Sequence, residues 1–348
     1  MHAHRGRARG LVGVLALSLV VGACGSDSGA ESTKQAGTGS TPEASTKLRI
    51  QYSVGFTGVL PLLIAADHGD FENNGIDAEF VATNEAVKPL LSGDADVGTP
   101  SPIVAAVAAS QGQPVRLVMS VQNRITQSLV ATPEVAKTLE PAAGDWKKVM
   151  EGLRGKKVGV TVRGGSPDLN LRFMLKQAGL EPDKDVVVLP LGNGPGQVGG
   201  LKSKRVDAIL TFTPLTQQLQ LDATGVPVLD LSKPGQAPPE LEQPFVTAAM
   251  TAKYIADNPD VVERFVKAMT ESMDFIKDPA NKAQVQELVI KRLEGIEPDV
   301  AGQVADELAA TMSPEISPDV IEKVNAVLSA NDVLEKPVTA ADLLATTH

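Results

Sequence analysis

Two similar α/β lobes are the fold class this sequence predicts, and three observations predict it. Short β-type apolar runs alternate with helical stretches from Lys47 to Phe212, the signature of parallel α/β structure. The alternation runs twice at nearly the same spacing, 49 positions from Lys47 to Asp96 and 50 from Lys157 to Asp207. Hydrophobic residues make up 43% of the 348, enough to bury a core without disulfides, and the chain has one Cys. Aromatics are only 3%, so that core is aliphatic.

The first unit opens with a strand at Leu48 to Tyr52, a turn from Ser53 to Gly58 and a helix around Pro61 to His68. Asp77 to Val81 reads as the next strand and Glu85 to Ser92 as the next helix. Ala95 to Gly98 makes a third strand, Ile103 to Ser110 a helix, and Val115 to Val121 another strand. The second unit repeats the plan. Lys157 to Val162 is a strand, Arg163 to Pro167 a turn, and Asp168 to Gln177 a helix closed by Gly179. Asp185 to Leu189, a helix over Gln197 to Lys204, and Val206 to Leu210 follow, ending in Phe212-Thr213-Pro214. After Val226 to Leu231, a Pro-rich loop leads to a strand at Phe245 to Met250. The remainder is helical, with starts at Pro259, Pro298 and Pro318, each followed by an acid. Val261, Val262, Phe265, Val266, Met269 and Met273 form one buried stripe.

Ahead of this body, Arg5, Arg7 and Arg9 precede an apolar run from Leu11 to Ala23 and then Cys24. A basic start, a short apolar stretch and small residues describe a secretory signal. Thirteen residues at about 1.5 Å each fall short of a roughly 30 Å hydrocarbon core. Val21-Gly22-Ala23-Cys24 resembles the bacterial lipoprotein box, which implies lipidation of Cys24. Two or more acyl chains, at about 0.8 kcal/mol per buried CH₂, would hold the chain on a membrane. Gly25 to Thr46, rich in Gly, Ser, Thr and Ala, reads as a flexible tether. Losing the signal removes three Arg and takes the formal charge from −10 to −13. An acidic chain with no basic cluster is a poor candidate for nucleic-acid binding.

The body resembles a known family over about Leu48 to Pro214. Ala65-Ala66-Asp67-His68-Gly69-Asp70-Phe71-Glu72-Asn73-Asn74-Gly75-Ile76-Asp77 is similar to a segment of the type II solute-binding proteins of ABC importers. The likeness is to the nitrate, sulfonate, taurine and thiamine-pyrimidine-precursor branch. Leu91 to Gly98, Leu153 to Val160, Leu175 to Leu180 and Val206 to Ala208 match its runs in order, with Lys204 where the family usually has Gly. The resemblance implies a two-lobed, type II periplasmic-binding-protein-like fold, each lobe a mainly parallel sheet flanked by helices, with a helical C-terminal region. Its expected divisions are a signal at 1–23, lipidated Cys24 and tether at 24–46, first-lobe residues 47–130, second-lobe residues 131–225, and a return to the first lobe over 226–348. It implies a monomeric, extracytoplasmic, lipid-anchored binder that closes over a small, anionic solute and delivers it to an ABC permease in the cytoplasmic membrane. Its crossovers are expected near Val121 to Ala131 and Thr213 to Leu231.

Ligands of open α/β sheets bind beyond the carboxyl ends of the strands, against helix N-termini. That places the candidates in the turns. In the first lobe they are Ser53, Gly55, Phe56, Thr57, Thr83, Asn84, Thr99 and Ser101. In the second they are Arg163, Gly164, Ser166, Asn193, Phe212 and Thr213. Ser101, Ser166 and Thr213 each precede Pro, so each is either a helix cap or a hydroxyl facing the cleft. The Arg163 guanidinium suits a carboxylate or sulfonate, with Ser166 beside it. Phe56 and Phe212 are placed to sandwich an apolar part of the ligand, or belong to the core.

Enzymes of the same fold include sulfinate desulfinases with a Cys nucleophile and pyrimidine synthases needing His and Cys. Here Cys24 is committed to lipidation, and His68 is the one body His, expected at the surface. No Cys–His pair, metal-ligand cluster, Walker loop or hydrolase elbow stands in the sequence. Binding without chemistry or cofactor is the expectation, with a lipoprotein ligand sensor or a desulfinase- or pyrimidine-synthase-like enzyme as the alternatives.

Overall fold

The computed structural model describes residues 45–334 and 336–345. The signal, Cys24 and the tether up to residue 44 lie outside the described residues. Nine strands are described: β1 (Thr46–Tyr52), β2 (Ile76–Ala82), β3 (Val115–Gln122), β4 (Gln127–Ala131), β5 (Lys157–Val160), β6 (Val187–Pro190), β7 (Ala208–Phe212), β8 (Val226–Asp230) and β9 (Val246–Thr251).

The strands make two sheets of one plan. In the first, β1 pairs in parallel with β2, and β3 pairs antiparallel with β9. Val97 bridges Ile50 in parallel and Gly98 bridges Ala249 antiparallel. The order is therefore β2, β1, Val97–Gly98, β9, β3. The predicted third strand at Ala95 to Gly98 is reduced to these two bridges. The second sheet runs β6, β5, β7, β4, β8, with β6–β5–β7 parallel and β7–β4–β8 antiparallel. In both sheets the predicted parallel ladder occupies one side. The antiparallel side begins at a strand that has just crossed from the other sheet, β9 in the first and β4 in the second.

Those crossings shift the expected divisions. Gln127 to Val130, placed before the 130/131 division, pairs in the second sheet, and β8, placed in the return segment, is its edge. The chain crosses at residues 123–126 and again over 231–245. The second crossing is later than expected because Val226 to Asp230 first completes the ladder against β4.

Helices cover the sheets through apolar faces. Helix Leu60–His68 buries Leu60, Leu62, Leu63 and Ile64. Helix Pro259–Lys277 packs on it and buries Val261, Val262, Phe265, Met269, Met273 and Ile276. Phe71, on the short helix Asp70–Asn73, stacks on Phe265 at 5.9 Å. Pro259 and Pro298 start helices as read from sequence, with Asp260 and Asp299 in the first turns, where a carboxylate favours the positive helix end. At Pro318 the helix starts two residues later, at Val320. His68 is exposed, as expected, with its ring stacked on Phe275 at 4.0 Å and Nδ1 2.8 Å from Asp70.

Candidate functional site

The turns at the carboxyl ends of β1 and β5 have matching local causes. Gly55 (φ +74°) and Gly164 (φ +76°) hold left-handed backbone that a β-carbon would strain. Each lets the chain reverse from strand into helix. What surrounds each turn differs.

At the end of β1 the organiser is Gln51, fully buried. Its Oε1 accepts from the Thr99 backbone N–H at 3.0 Å and from Thr99 Oγ1 at 2.8 Å. Its Nε2 donates to the Thr83 carbonyl at 2.6 Å. One neutral carboxamide thus ties two of the predicted loops to the end of β1, and Thr99 and Thr83 serve that stitch. Ser53 is half-buried, and its carbonyl accepts from the Phe56 N–H. Asn84 is exposed. Ser101 is a helix cap, its Oγ accepting from Val104 N–H at 3.3 Å.

The turn after β5 is charged. Asp168 is buried in the first turn of helix Ser166–Gln177, where Oδ2 accepts from the Gly164 N–H at 2.8 Å. Oδ1 accepts from Arg172 Nε at 2.8 Å. Burial pushes the Asp168 carboxyl above its usual range, against the pull of the Gly164 N–H and the Arg163 charge. Arg163 does not stand free to fork an anion. Its Nη1 is 3.0 Å from Asp183 Oδ2 and its Nη2 donates to the Val188 carbonyl at 3.1 Å, on a half-exposed side chain. Ser166 turns the other way, its Oγ accepting from Asn170 at 3.3 Å and Gln127 at 3.4 Å. The structure therefore engages Arg163 and Ser166 with different partners, Asp183 and Val188 for the guanidinium, Asn170 and Gln127 for the hydroxyl. Asn193 is exposed and precedes helix Gly194–Lys202 without capping it by its side chain.

The two sheets meet at the ends of β1 and β7. Thr57 Oγ1 donates to the Thr213 carbonyl at 2.9 Å, both residues buried. Phe56 packs edge-to-face on Phe212 (4.8 Å) and on Phe245 (5.4 Å), with Phe212 and Phe245 6.2 Å apart. Thr213 Oγ1 donates to Glu307 Oε2 at 2.5 Å and accepts from Gln217 Nε2 at 3.2 Å. Glu307 lies on helix Pro298–Thr311. Burial pushes its carboxyl up to about 7, helped by the nearby Asp230 charge and opposed by hydrogen bonds from Thr213, Gln122 and Thr126. Gln122, fully buried at the end of β3, donates to Thr311 Oγ1 at 3.1 Å.

Of the predicted residues, then, Phe56, Thr57, Phe212 and Thr213 are brought together across the two sheets. Thr83 and Thr99 are joined within the first, and Arg163, Asn84 and Asn193 face outward. Sequence reasoning missed Gln51, Gln122, Phe245 and Glu307. A signal existed for Glu307, which falls at helical spacing with the buried Val304, Leu308 and Thr311. A groove of about 610 Å³ lies elsewhere, between Leu215 to Asp222 and Gly295 to Asp299. Among the described residues no group of His, Cys, Asp and Glu is placed to hold a metal, and no helix is long and apolar enough to cross a membrane.

Comparison with known proteins fits this geometry. The model of the NMT1-like family matches residues 41–290. The nitrate/nitrite binding protein NrtA of Nostoc sp. is 23% identical over 257 residues, 69% of this chain and 56% of that protein. The chain spans about half the length of the nitrate/nitrite-binding relatives it matches. Among solved structures, the alkanesulfonate-binding protein SsuA from Xanthomonas axonopodis pv. citri, bound to MOPS, aligns with a TM-score of 0.67 at 19% identity, covering 86% of this chain and 99% of that one. The desulfurization enzyme DszB aligns with a TM-score of 0.60 at 18% identity, covering 84% and 94%. The fold is that of the two-lobed periplasmic binding proteins, with one sheet in each lobe.

Proposed function

The chain belongs to the NMT1-like family, and from that premise we propose that it is the solute-binding subunit of an ABC importer. The observation that carries this reading is the meeting of strand ends from the two sheets. Thr57 of one reaches Thr213 of the other, and Phe56, Phe212 and Phe245 close around the same point. Ligands of open α/β sheets collect at strand carboxyl ends, and among the described residues the strands of the two sheets are joined by crossings at residues 123–126 and 231–245. Two such crossings make a hinge. A solute bridging the strand ends selects the closed form, and docking on a permease releases it. The relatives named for nitrate, nitrite and alkanesulfonate support a small solute.

The same proposal extends to the address. Lipidation at Cys24 and the tether ahead of β1 would keep the binder on the outer side of the cytoplasmic membrane, beside its permease. DszB shows that an enzyme can share the fold. The junction described here favours binding over chemistry, since its polar side chains are threonines, carboxamides and one carboxyl without a paired nucleophile and base. X-ray scattering with and without a saturating solute tests the reading: compaction is expected, and an unchanged radius of gyration at saturation would sink it. Recovery of the solute unaltered after incubation separates binding from catalysis.

A further inference from the structure

Resting on the reading of the Thr57–Thr213 junction as the capture site, we infer that its solute presents hydrogen-bond donors, an amine or amide on an apolar body, rather than an oxyanion. Two carboxamide oxygens at that junction, Gln122 Oε1 and Gln217 Oε1, are sealed from solvent without a hydrogen-bond partner. Both are acceptors, and Gln217 also donates to the Thr213 hydroxyl, which itself donates to Glu307. Gln122 is fully buried and its Nε2 is engaged by Thr311, so its free oxygen cannot be traded for a donor without losing that bond. An unmatched buried acceptor costs about 1–3 kcal/mol, which an incoming N–H recovers and an incoming oxyanion aggravates. Beside these oxygens the Phe56, Phe212 and Phe245 rings offer apolar and π faces.

The charges point the same way. Among the described residues no Lys, Arg or His is fully buried in the core. At the helix N-terminus after β5, where an anion would sit, the chain's own Asp168 carboxylate takes the Gly164 N–H. One buried donor there lacks a partner, Arg172 Nη2. Its guanidinium is already offset by Asp168 at 2.8 Å and Asp183 at 2.9 Å, so a further anion meets two carboxylates beside one cation.

The test is titration of the full chain with four probes that share a benzene body: benzylamine, benzamide, benzenesulfonate and benzoate, with nitrate as a fifth. Calorimetry is expected to show the amine and amide binding at least about tenfold more tightly than the three anions. At about pH 8, where the Glu307 carboxyl is ionised and the amine still charged, Glu307→Gln is expected to weaken benzylamine about tenfold and benzamide by less than about threefold; circular dichroism checks that the variant folds. Tighter binding or compaction with benzenesulfonate, benzoate or nitrate than with the amine and amide would overturn the solute class while leaving capture intact. If no probe binds or compacts the chain, capture at this junction falls, and the class with it.

Discussion

The two strand-end turns share a backbone plan and differ in chemistry. After β1, a neutral carboxamide, Gln51, joins Thr83 and Thr99 through three hydrogen bonds. After β5, the buried Asp168 is held by a backbone N–H and by Arg172, which also reaches Asp183, as does Arg163. Neutral groups lose only a bond when cut, whereas a buried charge that loses its partner is left uncompensated. The second turn is therefore the more fragile half of a symmetric design.

Removing Arg172 should break the comparison most sharply. Arg172→Ala leaves Asp168 buried without its counter-charge and should cost about 3–5 kcal/mol in urea denaturation. A loss below about 1 kcal/mol would mean that the Gly164 N–H alone suffices. Next comes Glu307, which sits between the two halves. Its folded-state carboxyl lies near about 7 against 4.5 for an exposed Glu. The folded chain holds this proton more tightly than the unfolded chain. Stability is full below about 4.5, falls by up to about 3 kcal/mol as pH rises to about 7, and declines further above that until titration is complete. Stability curves of Glu307→Gln should lack this fall, and a parallel fall in both proteins would assign it elsewhere.

Gln51→Leu should cost less, about 2 kcal/mol, since it strands the Thr99 hydroxyl and N–H and the Thr83 carbonyl but no charge. A cost equal to that of Arg172→Ala would erase the proposed contrast between turns. The smallest effect belongs to the Leu91-Ser92-Gly93 and Leu201-Lys202-Ser203-Lys204 segments. Gly93 caps its helix at φ +77°, and Lys204 adopts φ +55° at the corresponding place. Its exposed pair with Glu134 contributes little. Lys204→Gly should therefore raise thermal stability by about 0.5–1 kcal/mol, read as a small upward shift of Tm.

Most of the fold was legible. The paired spacing marked two sheets, and β1, β2, β3, β5, β7 and β9 fall close to their predicted positions. Gln127 to Ala131 was not seen as a strand of the second sheet, because its pairing with β7 and β8 depends on residues some 80 and 100 positions away. The site was half legible. Phe56, Thr57, Phe212 and Thr213 lie at strand ends and could be read from the turns. Arg163 could not be judged that way, since Asp183 is distant in sequence and adjacent in space.

The sequence by itself determined the repeat, the turns, the helix starts and the acidic balance, all of which depend on periodicity and nearest neighbours. Only the tertiary structure decided which polar groups are satisfied. Hydrogen bonds and ion pairs act over about 3 Å, and the groups that complete Arg163, Thr213 and Gln51 lie 20, 94 and 48 positions away. A residue's type names what it can bind, but what it has left to offer a solute depends on which partners the fold has already placed beside it.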